Sequence, residues 1–291
     1  MTKAIQSSYS IEFFPPKGPK GEARLDDARA TLAELGPDFF SVTFGAGGTT
    51  RSGTLATVQR CMETTGIPAA PHLSCVEGTR ESIGELLDNY KQAGVDRIVA
   101  LRGDLPDGMD KPGEFNYANE LVEFIKDRHG NDFHLEVGAY PEYHPDANTP
   151  SEDVDNFVRK VNAGADSAMT QYFYNADAYF NFMEEVTAKG VDIPVVPGIM
   201  PINNFDQVSR FSAMCGADIP RWIRQKMESY GDDTESVQAF GKDLVARLCE
   251  QLLAGGAPGL HFYALNKAEP TTWLWHELGL PTPETNESAA G

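Results

Sequence analysis

No stretch of about eighteen apolar residues occurs in the chain, so a membrane-spanning helix is not expected. The opening residues, MTKAIQSSYS, lack an apolar h-region, and no secretory signal peptide is expected either. Positive charge is scarce: 24 Lys and Arg face 43 Asp and Glu, a net charge of −19. A nucleic-acid binder needs a basic stripe to meet phosphates, so neither nucleic acid nor an anionic membrane is an expected partner. An anionic cofactor would have to be drawn by a local basic pocket, against the overall field. The four cysteines, Cys61, Cys75, Cys215 and Cys249, are far apart and form no C-x-x-C pair. With no H-E-x-x-H spacing as well, no metal site is expected, and reduced thiols in the cytoplasm are the expectation. No Ser/Gly-rich linker interrupts residues 1–281, which read as one domain; the polar tail 282–291 is expected to be disordered.

Eight short apolar runs are present: YSIEFF (9–14), FFSVTFG (39–45), AAPHLSCV (69–76), RIVALRGD (97–104), LEVGAYPE (135–142), SAMTQYFY (167–174), PVVPGIM (194–200) and GLHFYALN (259–266). Until the last gap they start roughly 30 residues apart, the length of a βαβ unit. Helical periodicity fills the spaces. In 80–94 the stripe is Ile83, Leu86, Leu87, Tyr90 and Ala93, closed by Gly94; segments 22–36 and 152–164 follow the same scheme. The pattern predicts an α/β fold, a (β/α)8 barrel, with extra helices between strands seven and eight, where the gap is roughly 65 residues. The segment 271–280 is expected to be the last outer helix, with its tryptophans packed on the barrel.

Such barrels carry their chemistry at the C-terminal strand ends. There the sequence has Glu12, Thr43, His72, Asp104, Tyr140, Gln171 and Lys267. Glu12 alternates with Ile11 and Phe13; a carboxylate inside such a run is costly unless paired or functional, and burial is expected to raise its pKa toward that of a general acid. Arg102-Gly103-Asp104 ends the fourth strand, either as a rim salt bridge or as a ligand contact that glycine lets come close. His72 and His144 stand outside any metal-ligand spacing, and His261 reads as a packing residue. Arg159 and Lys160, on the helix after the fifth strand, are either a solvated pair or phosphate contacts. The glycine loop 45–50 fails the dinucleotide fingerprint, since its third glycine would fall on Thr50.

The motifs SIEFFPP (10–16), SVTFGAGG, APHLSC, IVALRGDLP, GAYPEYHPDA, RKVNAGAD, TQYFYN, PGIMPI and HFYALNKAE (261–269), in this order, resemble those of the methylenetetrahydrofolate reductase family, in its bacterial single-domain form. The resemblance spans nearly the whole chain. It implies a TIM barrel that holds FAD and works by ping-pong hydride transfer: NADH or NADPH reduces the flavin, then 5,10-methylenetetrahydrofolate accepts the hydride to give 5-methyltetrahydrofolate. By the same resemblance, Glu12 is the general acid that helps open the imidazolidine ring, and Asp104 is a carboxylate beside flavin and pterin. Thr43, Phe44, Ala46, His72, Arg102, Gly103, Asp104, Ala118, Tyr140, His144, Ala147, Asp153, Asn156, Arg159 and Lys160 match FAD contacts. Asp104, Gln171, Gln207, Phe211, Tyr263 and Lys267 match substrate contacts. Lys267 stands where the family commonly has Arg, near the folate tail carboxylates; lysine offers one point charge in place of a bidentate fork. A homo-oligomer is expected.

Other barrel chemistries fit less well. A Schiff-base aldolase needs a lysine within a strand, and SAMTQYFY has none. A metal-dependent hydrolase needs paired histidines at a strand end. A non-catalytic or partner-dependent flavin- or folate-binding barrel, a subunit of a larger redox complex, is the alternative that the residues leave open.

Overall fold

The computed structural model describes residues 7–44, 51–76, 78–104 and 113–283, with backbone alone at 51 and 52. The strands are β1 (Ser8–Phe13), β2 (Phe39–Val42), β3 (Ala69–Ser74), β4 (Arg97–Leu101), β5 (His134–Ala139), β6 (Ser167–Thr170), β7 (Val195–Val196), β8 (Gly198–Ile199) and β9 (Gly259–Tyr263). Between them run α1 (Gly18–Ala33), α2 (Arg51–Thr65), α3 (Arg80–Gln92), α4 (Ala118–His129), α5 (Pro150–Asn162) and α6 (Ala176–Ala188). Helices α7 (Phe205–Cys215), α8 (Arg221–Ser229) and α9 (Thr234–Ala254) follow β8, and α10 (Glu269–Glu277) follows β9.

All pairings are parallel, in the order β7-β6-β5-β4-β3-β2-β1-β9-β8. The two ends of that order are neighbours in the chain. The run PVVPGIM is one strand interrupted at Pro197, which lacks the N–H that a continuous ladder would need. Its first half pairs with β6 and its second half with β9, so the proline divides the seventh strand just where the barrel closes. Gly198 serves the same closure. A Cβ there would meet the carbonyl oxygen of Thr170 at 2.2 Å and the Tyr263 ring at 2.7 Å.

Two cores follow from strand alternation. Outward-facing residues such as Ile11, Phe13, Phe40, Val42, Leu73, Leu135 and Phe262 pack with the helices in one continuous cluster. Inward-facing Phe39, Ala70, Val99 and Met169 form a small separate cluster inside the barrel. Beside it the Arg97 guanidinium lies over the Phe39 ring, 4.4 Å from the centroid, and pairs with buried Glu136. Trp275 of α10 is buried against Phe262 and Tyr9, as the sequence predicts for that helix.

Helix ends are set locally. Thr79 and Ser82 form a reciprocal capping box at the start of α3, with both hydrogen bonds at 3.1 Å. Gly94, past its end, has φ +77°, a left-handed conformation that glycine adopts without penalty. Thr149 and Asn204 accept backbone N–H bonds at the starts of α5 and α7, fixing the two helices that border the barrel mouth.

Candidate active site

Parallel strands bring every C-terminal end to one mouth of the barrel. Glu12, near the end of β1, points inward: its Oε2 lies 3.2 Å from Nε2 of His72 on β3, two strands away, and 3.6 Å from Nε2 of His261 on β9. His261 is fully buried, and its Nδ1 is 2.7 Å from the Ser10 hydroxyl. Both Nε2 atoms are buried without a well-aligned hydrogen bond, so the contact with Glu12 is one of charge and distance more than of direction.

This arrangement reverses the expected pKa of Glu12. Burial alone raises it, but the two imidazoles outweigh burial and hold the carboxyl down at about 2, from an ordinary 4.5. It also corrects the reading of His261 as a packing residue, since its ring touches the candidate acid. The signal was in the sequence: Ser10 and Glu12 share one strand face, and so do His261 and Tyr263. Only the β1–β9 register, Ser10 against His261 and Glu12 against Tyr263, shows that these faces meet.

Next to this group, a cavity of about 440 Å³ opens between the exits of β4 and β5 and the starts of α4 and α5. Arg102, Gly103 and Asp104 form one wall. Tyr140, His144 and Ala147 form a second, Asp153, Asn156 and Lys160 of α5 a third, and Ala118 sits at the first turn of α4. That turn is the N-terminus of a helix with no side-chain cap, an end whose dipole favours an anion. Lys160 donates to the carbonyl of Gly138, and burial pulls its pKa down to about 8 from 10.5. Arg102 pairs with Asp146 at 2.9 Å, which holds the Asp146 carboxyl below its ordinary value. The His144 backbone N–H donates to Asp153 at 3.0 Å, and the Asp146 backbone N–H donates to Nδ1 of the His144 ring at 3.0 Å. This orients the imidazole. Asp146, Asn148, Glu152, Tyr117 and Asn119 also line the cavity, and the sequence reading did not single them out.

Gly103 is required by the protein itself. Its φ is +83°, and an added Cβ would lie 1.9 Å from the Ser74 hydroxyl. The expectation that glycine is there for the sake of a ligand therefore has a second cause in the fold.

Tyrosines join the cavity to Glu12. Tyr140 is pushed up to about 12 by burial and then by Asp104 and Asp153, while Tyr263 is raised by burial and then by Glu12 and Tyr140. The Tyr263 hydroxyl is committed to the Thr170 carbonyl at 2.8 Å. Tyr263, Gln207 of α7 and Lys267 line a second, smaller cleft. Phe211, one turn on from Gln207, is half-buried against the outer core.

Other expected residues lie apart from the cavity lining. Thr43 and Phe44 are half-buried just beyond β2, where the Thr43 N–H bonds the Phe13 carbonyl at 2.9 Å. The Gln171 side chain turns back on its own strand end, accepting from the Tyr172 N–H at 3.0 Å. Arg159 is exposed and donates to Asn156, so of the Arg159–Lys160 pair Lys160 alone faces the cavity. Ala46 lies outside the described residues.

The likenesses to known proteins agree with this geometry. The profile of the methylenetetrahydrofolate reductase family matches residues 1–279. The 5,10-methylenetetrahydrofolate reductase of Escherichia coli (strain K12) is 38% identical over 275 residues, 94% of this chain and 92% of that protein. An Arabidopsis thaliana protein, methylenetetrahydrofolate reductase (NADH) 1, is 35% identical over 293 residues; the match takes in 96% of this chain and 50% of that longer protein. A solved structure from Clostridium thermocellum, described as binding two copies of 5-methyl-5,6,7,8-tetrahydrofolic acid, superposes with a TM-score of 0.69 over 94% of this chain and 95% of that one. At 16% identity, that last likeness concerns the fold. A parallel barrel with a paired glutamate at its mouth, matched from residue 1 to residue 279, belongs to the methylenetetrahydrofolate reductase family, whose members reduce methylenetetrahydrofolate.

Proposed function

We propose that this chain reduces 5,10-methylenetetrahydrofolate to 5-methyltetrahydrofolate with a hydride drawn from NADH or NADPH by way of FAD. The observation that carries the reading is Glu12, ionised between two histidines at the same mouth as a cavity walled by Arg102, His144, Lys160 and the start of α4.

The donor set fits FAD. Lys160, Arg102 and the α4 N-terminus supply positive potential for a pyrophosphate, within a chain that is otherwise strongly acidic. Asp153 and Asn156 offer polar groups for sugar hydroxyls, and Tyr140 and Ala118 offer apolar surface for rings. When bound, FAD supplies the two-electron carrier that lets nicotinamide and folate use one site in turn.

The chain's own part is binding and proton handling. Glu12 rests as a carboxylate in the open mouth, so it must take up a proton before it can give one. A ligand that displaces water from the mouth raises the carboxyl toward that state, since desolvation disfavours the charge. The protonated Glu12 then assists opening of the imidazolidine ring by donating to its nitrogen, with the histidines holding the carboxyl in place. Asp104 orients the pterin, Gln171 serves nicotinamide and folate in turn, and Gln207, Phe211 and Lys267 meet the rest of the folate.

The visible spectrum of the purified protein tests this reading first. A flavin band near 450 nm and an FAD-dependent NADH–menadione activity are expected. A colourless protein indifferent to added FAD would overturn the proposal and favour a scaffold role.

A further inference from the structure

The loop that leaves β9 is held in an unusual path. Leu265 and Asn266 are consecutive non-glycine residues with φ +50° and +54°. The left-handed region is disfavoured for residues that carry a Cβ, and asparagine tolerates it best of those that do. Such conformations persist where the surroundings over-determine them. Here the Asn266 side chain does so. It is 4% exposed, and its carboxamide grips the backbone of Phe14 at both groups: the Phe14 N–H donates to Oδ1 at 3.0 Å, and Nδ2 donates to the Phe14 carbonyl at 2.9 Å. A side chain 252 residues away along the chain thus takes the place of a strand partner just beyond the end of β1.

The position of this strap gives it a consequence. Phe14 is two residues after Glu12, and Lys267 is one residue after Asn266. The strap therefore joins the segment that carries the candidate acid to the segment that carries the candidate tail-binding cation. The Lys267 backbone N–H donates to the Ala264 carbonyl at 3.0 Å, and the residue is exposed beside Gln207 and Tyr263. Among the described residues no hydrogen bond or ion pair holds its side chain, so its place relative to Glu12 depends on the backbone path through Asn266.

We propose that Asn266 is a positioning residue for folate: its carboxamide fixes the distance between Lys267 and Glu12, so that the tail carboxylates and the reacting ring of one substrate are met together. This rests on the folate reading given above.

Asn266→Gly is the informative variant. Glycine adopts the left-handed backbone freely, so the path stays open to the loop while the strap is lost. Asn266→Asp is the second: it keeps the acceptor for the Phe14 N–H but sets an oxygen against the Phe14 carbonyl. In both, the KM for 5,10-methylenetetrahydrofolate is expected to rise about tenfold, the order of one lost buried hydrogen-bond pair. The rate of flavin reduction by NADH in the holoenzyme should stay within about twofold. In a Lys267→Met background, Asn266→Gly should add little, because coupled residues are not additive. An unchanged folate KM, equal loss in both half-reactions, or full additivity with Lys267→Met would overturn the proposal. So would a fall in melting temperature with both half-reactions intact. Calorimetric binding of 5-methyltetrahydrofolate reads the same ratio without turnover. It therefore judges the strap even if the unaltered protein proves inactive, a result that would count against the proposed reaction instead.

Discussion

Glu12 Oε2 and His72 Nε2 stand 3.2 Å apart inside the barrel mouth, on strands that are not neighbours. In the proposed reaction, a carboxylate placed this way would serve the half-reaction that needs a proton and be idle in the one that needs only a hydride. Glu12→Gln is therefore expected to leave flavin reduction by NADH intact and to slow folate reduction by about 10²- to 10⁴-fold, the range of a lost general acid. Stopped-flow measurement of each half-reaction checks this; equal loss in both would refute the role.

The same pairing predicts an acid limb in stability. The folded pKa of Glu12, about 2, lies below its ordinary 4.5. A depressed carboxyl contributes stability that is complete above the unfolded value and is lost as pH falls through the folded one. The melting temperature of the native protein should thus fall toward that of Glu12→Gln between about pH 4.5 and pH 2. Parallel curves for the two proteins would show that the carboxyl is not held ionised.

Lys160 gives the opposite dependence for cofactor. Burial holds its pKa at about 8, so the lysine gives up its proton more readily than an ordinary one. A pyrophosphate favours the charged lysine, so FAD affinity should weaken as pH rises through 8, by about tenfold between pH 7 and pH 9. Fluorescence titration of the apoprotein with FAD reads this directly. Lys160→Met should bind more weakly and lose the slope; a slope that survives the substitution would move the titration to another group.

Lys267→Arg is expected to lower the folate KM by about two- to fivefold, because guanidinium meets a carboxylate with two parallel bonds where ammonium offers a point charge. Steady-state kinetics decide it. Weaker binding, or none of this effect, would show that the tail does not reach this residue.

Gly198→Ala tests the closure. The new methyl would sit 2.2 Å from the Thr170 carbonyl oxygen and 2.7 Å from the Tyr263 ring. Backbone and a bonded tyrosine cannot both yield, so a loss of roughly 1–3 kcal/mol in urea unfolding is expected. A neutral substitution would mean that β8 shifts freely.

Most of the strands and helices were legible from periodicity alone, because each is an amphipathic or fully apolar segment whose partner surface is implied by its own pattern. PVVPGIM shows the limit. Its proline was visible, but that the break falls at the barrel's closing seam depends on which strands flank it. Among site residues, Lys160 and His144 were readable as polar groups after the fifth strand. Arg159, adjacent and chemically similar, turns away because neighbouring positions on α5 point about 100° apart.

The sequence by itself determined the parallel barrel, the mouth that carries its polar strand ends and, through its motifs, the family. Those follow from local periodicity and from residue order, which need no knowledge of distant contacts. Tertiary structure decided the ionisation of Glu12, the part played by His261 and the strap of Asn266 on Phe14. Each depends on groups far apart in the chain meeting at close range, where neighbouring polar groups can reverse the shift that burial alone would impose.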